Sequence, residues 1–261
     1  MTKLTTICAV LAFHLAAPAA MAATAQEIMS LYDKQSRADA EQVKLTMRLV
    51  NPQGKVRQRT INYQTKTNEQ GKQNSLLRFV EPADVRGTAL LTLEHAQDDD
   101  DRWLYLPAMR KVRRIAATED NENFMGSDFA YEDIDFEELA NNSYTLLKSE
   151  MVAGTDTWVI QATPTPQSRD KSGYSKRVLW IRKDNYAVVQ VDYYDKKDEL
   201  FKKRQATGLA EVDQSGKWRP KRQEMLNTKT GHKTEIVYED YRIGGQISDD
   251  VFSQRTLADN R

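Results

Sequence analysis

Apolar and polar residues alternate with a period of two along most of the chain after residue 40. In residues 43–49, Val43, Leu45, Met47 and Leu49 alternate with Lys44, Thr46 and Arg48. Successive side chains of a strand point to opposite faces, so this spacing predicts a half-buried β-strand. The pattern recurs in about a dozen segments separated by short turns rich in Gly, Asn and Pro. We therefore predict an antiparallel meander that curls into a barrel or folds into a sandwich.

Three segments depart from this alternation. Residues 26–39 carry Ile28, Met29, Leu31 and Tyr32 at near-helical spacing, which predicts a short amphipathic helix. Residues 117–142 do not alternate and are expected to form a loop with short helices. The tail that begins at Ser248 has a helix-start signal and is expected to form a last helical turn.

The first 22 residues have the pattern of a cleavable export signal. Lys3 provides a short basic start, an apolar stretch follows, and Ala20-Met21-Ala22 gives a small-x-small cleavage site. We predict a soluble periplasmic protein whose mature chain starts near Ala23 and has no thiol, because Cys8 is the single cysteine. No linker interrupts the rest, so residues 23–261 are predicted to be one domain.

Charge and motif content argue against several functional classes. The chain has 38 basic and 38 acidic residues, a balance that disfavours a nucleic-acid partner. His95 and His232 are its histidines after the signal, and no metal site is predicted. The acidic run from Asp98 to Asp101 is interpreted as a solvated turn in preference to a calcium site. No cofactor motif and no nucleophile with its base is present, so we predict that the protein is not an enzyme.

A basic hairpin at residues 103–115 poses a question, because alternation places its cations on both faces of a strand. One interpretation is a solvated edge strand, since edge strands often carry Lys and Arg. The other, which we favour, is a latch or a headgroup site, because six acidic residues follow at short range. The cations are Arg110, Lys111, Arg113 and Arg114, and the acidic residues are Asp128, Glu132, Asp133, Asp135, Glu137 and Glu138.

Three segments, 79–91, 101–115 and 123–135, occur in an order that resembles the LolA-like outer-membrane lipoprotein-sorting family, in a branch often associated with RND-type lipid exporters. The resemblance implies about eleven antiparallel strands in an unclosed barrel, covered by short helices around an apolar cavity. It further implies a carrier of lipid or lipoprotein acyl chains between inner and outer membrane. Possible partners are then an RND-type inner-membrane exporter and an outer-membrane acceptor.

On this basis we predict the residues of a lipid-binding cavity. Alternation favours a concave wall formed by Leu91, Leu93, Trp103, Tyr105 and Trp180. The covering segment is expected to add Phe124, Met125, Phe129 and Tyr131, with Gly126 as the hinge of a gate. The main alternative function is a non-enzymatic accessory or scaffold module of an envelope export or assembly system. A lipid hydrolase and an outer-membrane barrel are disfavoured.

Overall fold

The computed structural model describes residues 23–96, 98–134 and 136–258. The predicted export signal, residues 1–22, lies outside the described residues. The first helix, α1 (Ala25–Ser36), begins with a capping box in which Thr24 and Glu27 exchange hydrogen bonds. It buries Ile28 and Met29.

The rest of the chain is mostly β-structure. The first six strands are β1 (Ala40–Val50), β2 (Val56–Thr67), β3 (Gln73–Glu81), β4 (Ala89–Leu93), β5 (Asp101–Leu106) and β6 (Lys111–Ile115). The next five are β7 (Asn142–Val152), β8 (Thr155–Pro164), β9 (Lys176–Arg182), β10 (Val188–Tyr194) and β11 (Leu200–Thr207). The last four are β12 (Ala210–Glu211), β13 (Trp218–Arg219), β14 (Arg222–Asn227) and β15 (Lys233–Ile243).

Short helical turns account for the segments that do not alternate. Between β6 and β7 lie 3₁₀ turns at Ala117–Glu119, Phe124–Gly126, Tyr131–Asp133 and Leu139–Asn141. Another 3₁₀ turn follows β5 at Pro107–Met109, and the tail forms Asp249–Phe252 and helix α2 (Gln254–Ala258). Residues 117–141 are called the covering segment below, and residues 247–258 the C-terminal cap.

Thirteen strands form one antiparallel sheet in the order β6-β5-β4-β3-β2-β1-β15-β14-β11-β10-β9-β8-β7. The sheet is unclosed, with β6 and β7 as its edges, which confirms the predicted fold class with slightly more strands than expected. Leu104 on β5 and Ile160 on β8 belong to the same buried cluster although they lie near opposite edges. The sheet is therefore curled, and the covering segment joins one edge to the other.

The two faces of the sheet carry separate apolar clusters. The inner face is defined here as the face that packs against α1 and the covering segment; it includes Leu45, Ile61 and Leu179. The outer face is its opposite, where Leu76 and Ala89 pack against the C-terminal cap through Phe252 and Leu257. Both clusters follow from alternation within single strands, since neighbouring residues belong to different faces.

Candidate functional site

Aromatic side chains of the covering segment fill the space above the inner face. Phe124, Phe129 and Tyr131 are at most 5% exposed and belong to the same cluster as Ile28 and Met29 of α1. The ring centre of Phe124 lies 5.6 Å from that of Tyr131. The predicted covering residues therefore do lie on the inner face, and the space expected to be an apolar cavity is occupied by the protein's own side chains.

Four of the predicted wall residues lie on the outer face instead. Leu91 and Tyr105 are buried in the cluster beneath the C-terminal cap, and Leu93 and Trp103 pack against it. The predicted face was wrong by one residue: Leu90 and Leu104 are the inward-facing side chains. Alternation could not decide which residues of β4 face inward, because its first four residues are all buried and both faces of the strand are covered.

Trp180, the fifth predicted wall residue, also points away from the inner face. It lies between the inward-facing Leu179 and Ile181 on β9. Its indole N–H donates a 2.9 Å hydrogen bond to Oε2 of Glu150 on β7. The predicted set of nine residues is thus divided between the two faces, with only the covering-segment members facing inward.

The backbone at the tip of the covering segment, where a hinge is predicted, has an unusual conformation. Met125 and Gly126 have φ of 49° and 72°, in the left-handed region that suits glycine and strains other residues. Arg59 on β2 donates a 2.7 Å hydrogen bond to the carbonyl oxygen of Met125 and lies over the ring of Phe79. The tip is thus held at one point by a half-buried guanidinium.

The acidic end of the covering segment is anchored to the far half of the sheet. Glu137 forms a two-pronged ion pair with Arg177 on β9, with both N–O distances 2.9 Å. Its carboxylate also accepts hydrogen bonds from the side chains of Asn142 and Tyr144. Bidentate arginine–carboxylate pairs of this kind are among the strongest charge-assisted hydrogen bonds in proteins. Glu137 is therefore the strongest anchor of this end.

Other carboxylates of the segment have partners elsewhere in the fold. Asp133 accepts a 2.7 Å hydrogen bond from the hydroxyl of Tyr174 and lies 3.8 Å from Nζ of Lys202. Glu138 pairs with Lys72 on β3 at 2.6 Å. Asp128 contacts His232 at 2.7 Å.

Glu132 occupies an environment that favours its neutral form. It accepts hydrogen bonds from the backbone N–H of Gly173 at 2.7 Å and the hydroxyl of Ser172 at 2.9 Å. Burial, reinforced by the adjacent charge of Asp133, nevertheless raises the pKa of Glu132 to about 7. This carboxyl therefore titrates near neutral pH.

For the five acids that the structure describes, the predicted latch to the basic hairpin is wrong. Five of the six acids have the partners just described, and the sixth, Asp135, lies outside the described residues. The physical reason is the path of the chain, since the covering segment leaves β6 and crosses to β7 at the other edge. A latch does exist, but its main cation is Arg177.

The basic hairpin itself is an exposed edge with local partners. Arg113 pairs with Glu119 at 2.7 Å, and Arg114 pairs with Asp101. Arg110 has φ of 49° in the turn, and Lys111 is exposed. This arrangement favours the edge-strand interpretation. Binding of a lipid headgroup by these four cations stays a prediction.

A charged cavity of about 280 Å³ lies between α1, the covering segment and strands β8 to β11. Leu179, Val191 and Tyr193 form part of its buried wall, beside Arg177 and Arg204. Sequence analysis missed this cavity, because its members come from segments far apart in the chain. The available signal was the strand alternation of β11, which places Lys202 and Arg204 on the same face.

Three of the acids at the mouth of this cavity contact cations. Asp99 pairs with Lys171 at 2.5 Å, and Asp100 and Asp120 bind Arg102 at 2.9 and 2.7 Å. Within the described ranges, no group of three His, Cys, Asp or Glu side chains is arranged to hold a metal ion. Among the helices of those ranges, none is long and apolar enough to cross a bilayer.

Comparison with known proteins reveals close structural relatives. A family model described as "Uncharacterized protein" matches residues 71–259. A crystal structure described as an outer membrane lipoprotein-sorting protein domain from Vibrio parahaemolyticus is 31% identical, with a TM-score of 0.84, covering 90% of this chain and 98% of that one. A DUF1329 family protein from Desulfovibrio piger is also 31% identical, with a TM-score of 0.83 and coverage of 89% and 97%.

A more distant structure shares the fold. The LolA superfamily protein from Nitrosomonas europaea is 23% identical, with a TM-score of 0.71, and the match covers 90% of this chain and 100% of that one. The comparison with curated proteins gives no match.

Proposed function

Since this chain belongs to the LolA-like outer-membrane lipoprotein-sorting family, we propose that it is a periplasmic carrier of acyl chains. On this proposal it binds the chains of a lipid or lipoprotein on its inner face and carries them between inner and outer membrane. The role is binding without catalysis. The periplasmic location rests on the predicted export signal. An RND-type exporter as donor and an outer-membrane acceptor belong to the same proposal.

One observation carries the proposal: a continuous apolar sheet face is covered by a segment of short 3₁₀ turns that contacts the sheet through side chains and adds no strand to it. The inner-face cluster runs from Leu104 on β5 to Ile160 on β8. Its cover consists of α1, a chain of short 3₁₀ turns and, beside the end of α1, the two-stranded sheet β12–β13, whose Arg219 binds Glu41 on β1. A cover of this kind can separate from the face without breaking the main sheet.

The free energies involved are of comparable size, which makes exchange of cover for cargo feasible. Exposing the side chains of Phe124, Phe129 and Tyr131 would cost about 5–9 kcal/mol, at about 1.5–3 kcal/mol each. Burying ten methylenes of an acyl chain would return about 8 kcal/mol. On this proposal the structure is the closed state, in which the protein's own aromatic residues occupy the place of the cargo.

Two matched alanine variants and a neutral single-chain probe test the proposal. F124A removes an aromatic ring that competes with cargo, whereas F252A removes an equally buried ring from the outer face. We expect decanol, measured by calorimetry, to bind F124A about tenfold or more tightly than wild type, because opening costs less. F252A should bind decanol as wild type does.

The same experiment addresses the accessory or scaffold alternative, which the filled inner face favours. Two results together would contradict the carrier proposal. Neither wild type nor F124A would bind decanol, and mass spectrometry would find no lipid in protein purified from the periplasm. Tighter binding of decanol to F252A than to F124A would contradict the assignment of cargo to the inner face.

A further inference from the structure

Three cations project from β9 and β11 onto the inner face, which is otherwise mostly apolar. Arg177 lies opposite Tyr193 across the β9–β10 pair, and Lys202 lies opposite the same tyrosine across β10–β11. Arg204 lies opposite Val191 on one side and Met225 on the other, both inward-facing members of the core. Directly paired residues of an antiparallel sheet share a face, so all three cations face inward.

The covering segment supplies acids for two of these cations. Glu137 binds Arg177, and Asp133 lies 3.8 Å from Lys202. Within the described ranges, the guanidinium of Arg204 makes neither a hydrogen bond nor an ion pair. Desolvating an arginine without a partner is costly, so a half-buried guanidinium in this state indicates a missing partner.

Two tyrosine hydroxyls line the same cavity as Arg204. Tyr32 comes from α1 and Tyr193 from β10. Neither hydroxyl is hydrogen-bonded to any residue that the structure describes. Arg204 and the two tyrosines therefore offer several donors, whereas the carboxylates of Glu132, Asp133 and Glu137 already have partners.

We propose that Arg204, Tyr32 and Tyr193 form a binding site for the anionic headgroup of an amphiphile whose acyl chain lies on the inner face. The inference rests on the proposed carrier function and names the chemistry of its cargo, an oxyanion such as a phosphate or a carboxylate. A guanidinium suits either group because its planar fork matches two oxygens at once.

The dimensions of the cavity fit a headgroup. A volume of about 280 Å³ is near the lower end of the range for small-molecule pockets. It has room for a phosphate or carboxylate group but not for long acyl chains. The chain would have to replace the side chains of the covering segment, as the carrier proposal requires.

The test compares decyl phosphate, decanol and inorganic phosphate by calorimetry, at concentrations at which the two decyl probes form no aggregates. Wild type should bind decyl phosphate at least about tenfold more tightly than decanol, the advantage of a charge-assisted pair. R204M should lose this difference and keep its affinity for decanol. K203M is the matched control, because Lys203 is the next residue on β11 and faces the other way, with Nζ 3.7 Å from Asp192.

Two further variants keep the test decisive if R204M folds poorly. R204K retains the charge and should preserve part of the preference for decyl phosphate. The double variant Y32F/Y193F removes only two hydroxyl groups and should weaken decyl phosphate binding several-fold while leaving decanol binding unchanged.

The possible results separate this inference from the carrier proposal. Equal binding of decyl phosphate and decanol to wild type would overturn the headgroup site and leave the carrier intact. Equal affinity for inorganic phosphate and decyl phosphate would overturn the assignment to a lipid headgroup. Failure of wild type to bind either decyl probe would overturn both proposals.

Discussion

Replacing Glu137 by glutamine should release the end of the covering segment. The carboxylate is 5% exposed and Arg177 19% exposed, so the variant leaves a largely buried guanidinium without its countercharge. Removing one partner of a buried ion pair lowers the free energy of unfolding by about 3–5 kcal/mol. If the segment opens locally to let water reach Arg177, part of this cost will appear as faster amide exchange in residues 136–141 rather than as lower global stability. Urea unfolding followed by tryptophan fluorescence, together with hydrogen exchange, measures both.

The neighbouring residue provides the control for this prediction. E138Q makes the same chemical change one position away, where Glu138 is 34% exposed and its partner Lys72 keeps a second carboxylate, Glu94, at 3.8 Å. We expect E138Q to lower the free energy of unfolding by at most about 1 kcal/mol and to change amide hydrogen exchange little. The double variant E137Q/R177M should recover much of the loss, because it removes the uncompensated charge. An E137Q variant no more perturbed than E138Q would refute the role of this pair as the anchor.

Three other predictions concern pH, gating and the basic hairpin. Because burial raises the pKa of Glu132 to about 7, the folded state holds a proton that the unfolded state releases near pH 4.5; stability should fall by up to about 3 kcal/mol between pH 4.5 and pH 8. E132Q should lack this component, and parallel urea-stability profiles of variant and wild type would contradict it. Binding of decanol should change amide exchange in the covering segment far more than in β1. Equal changes in the two regions would contradict the hypothesis that the covering segment is a gate. Replacing each of the four hairpin cations by glutamine should alter stability by a few tenths of a kcal/mol, because these side chains occupy an exposed edge. Decanol binding should stay unchanged. A loss of decanol binding would instead indicate that these cations help to retain cargo. The positions changed are Arg110, Lys111, Arg113 and Arg114.

The strands were predictable wherever one face of the sheet is apolar and the other polar. The β1–β2 hairpin is an example, since Leu45 and Met47 are buried whereas Lys44 and Arg48 are exposed. Residues 218–227 form two strands and not one, because Pro220 cannot donate to the ladder and separates β13 from β14. Likewise Gly208, with φ of 66°, separates β11 from β12.

The candidate site was less predictable than the fold, because its contacts join distant parts of the chain. Glu137 and Arg177 are 40 residues apart, and no local pattern relates them. The six acids between residues 128 and 138 were assigned to the basic hairpin because they lie near it in sequence. That criterion failed because residues 117–141 connect opposite edges of a curled sheet. Chain path, which depends on the strand order of the whole sheet, decides which charges meet.

Strand order also explains why apolar and charged parts of the inner face lie side by side. The covering segment first crosses β1 to β3, where Phe124 packs near Phe79 with ring centres 5.8 Å apart. It then reaches β9 to β11, where Arg177, Lys202 and Arg204 require anions. An entirely apolar ligand could replace the aromatic residues but would leave Arg204 unpaired, whereas an anionic amphiphile meets both requirements. On the proposed function, the face therefore selects cargo with a charged headgroup over a neutral hydrocarbon.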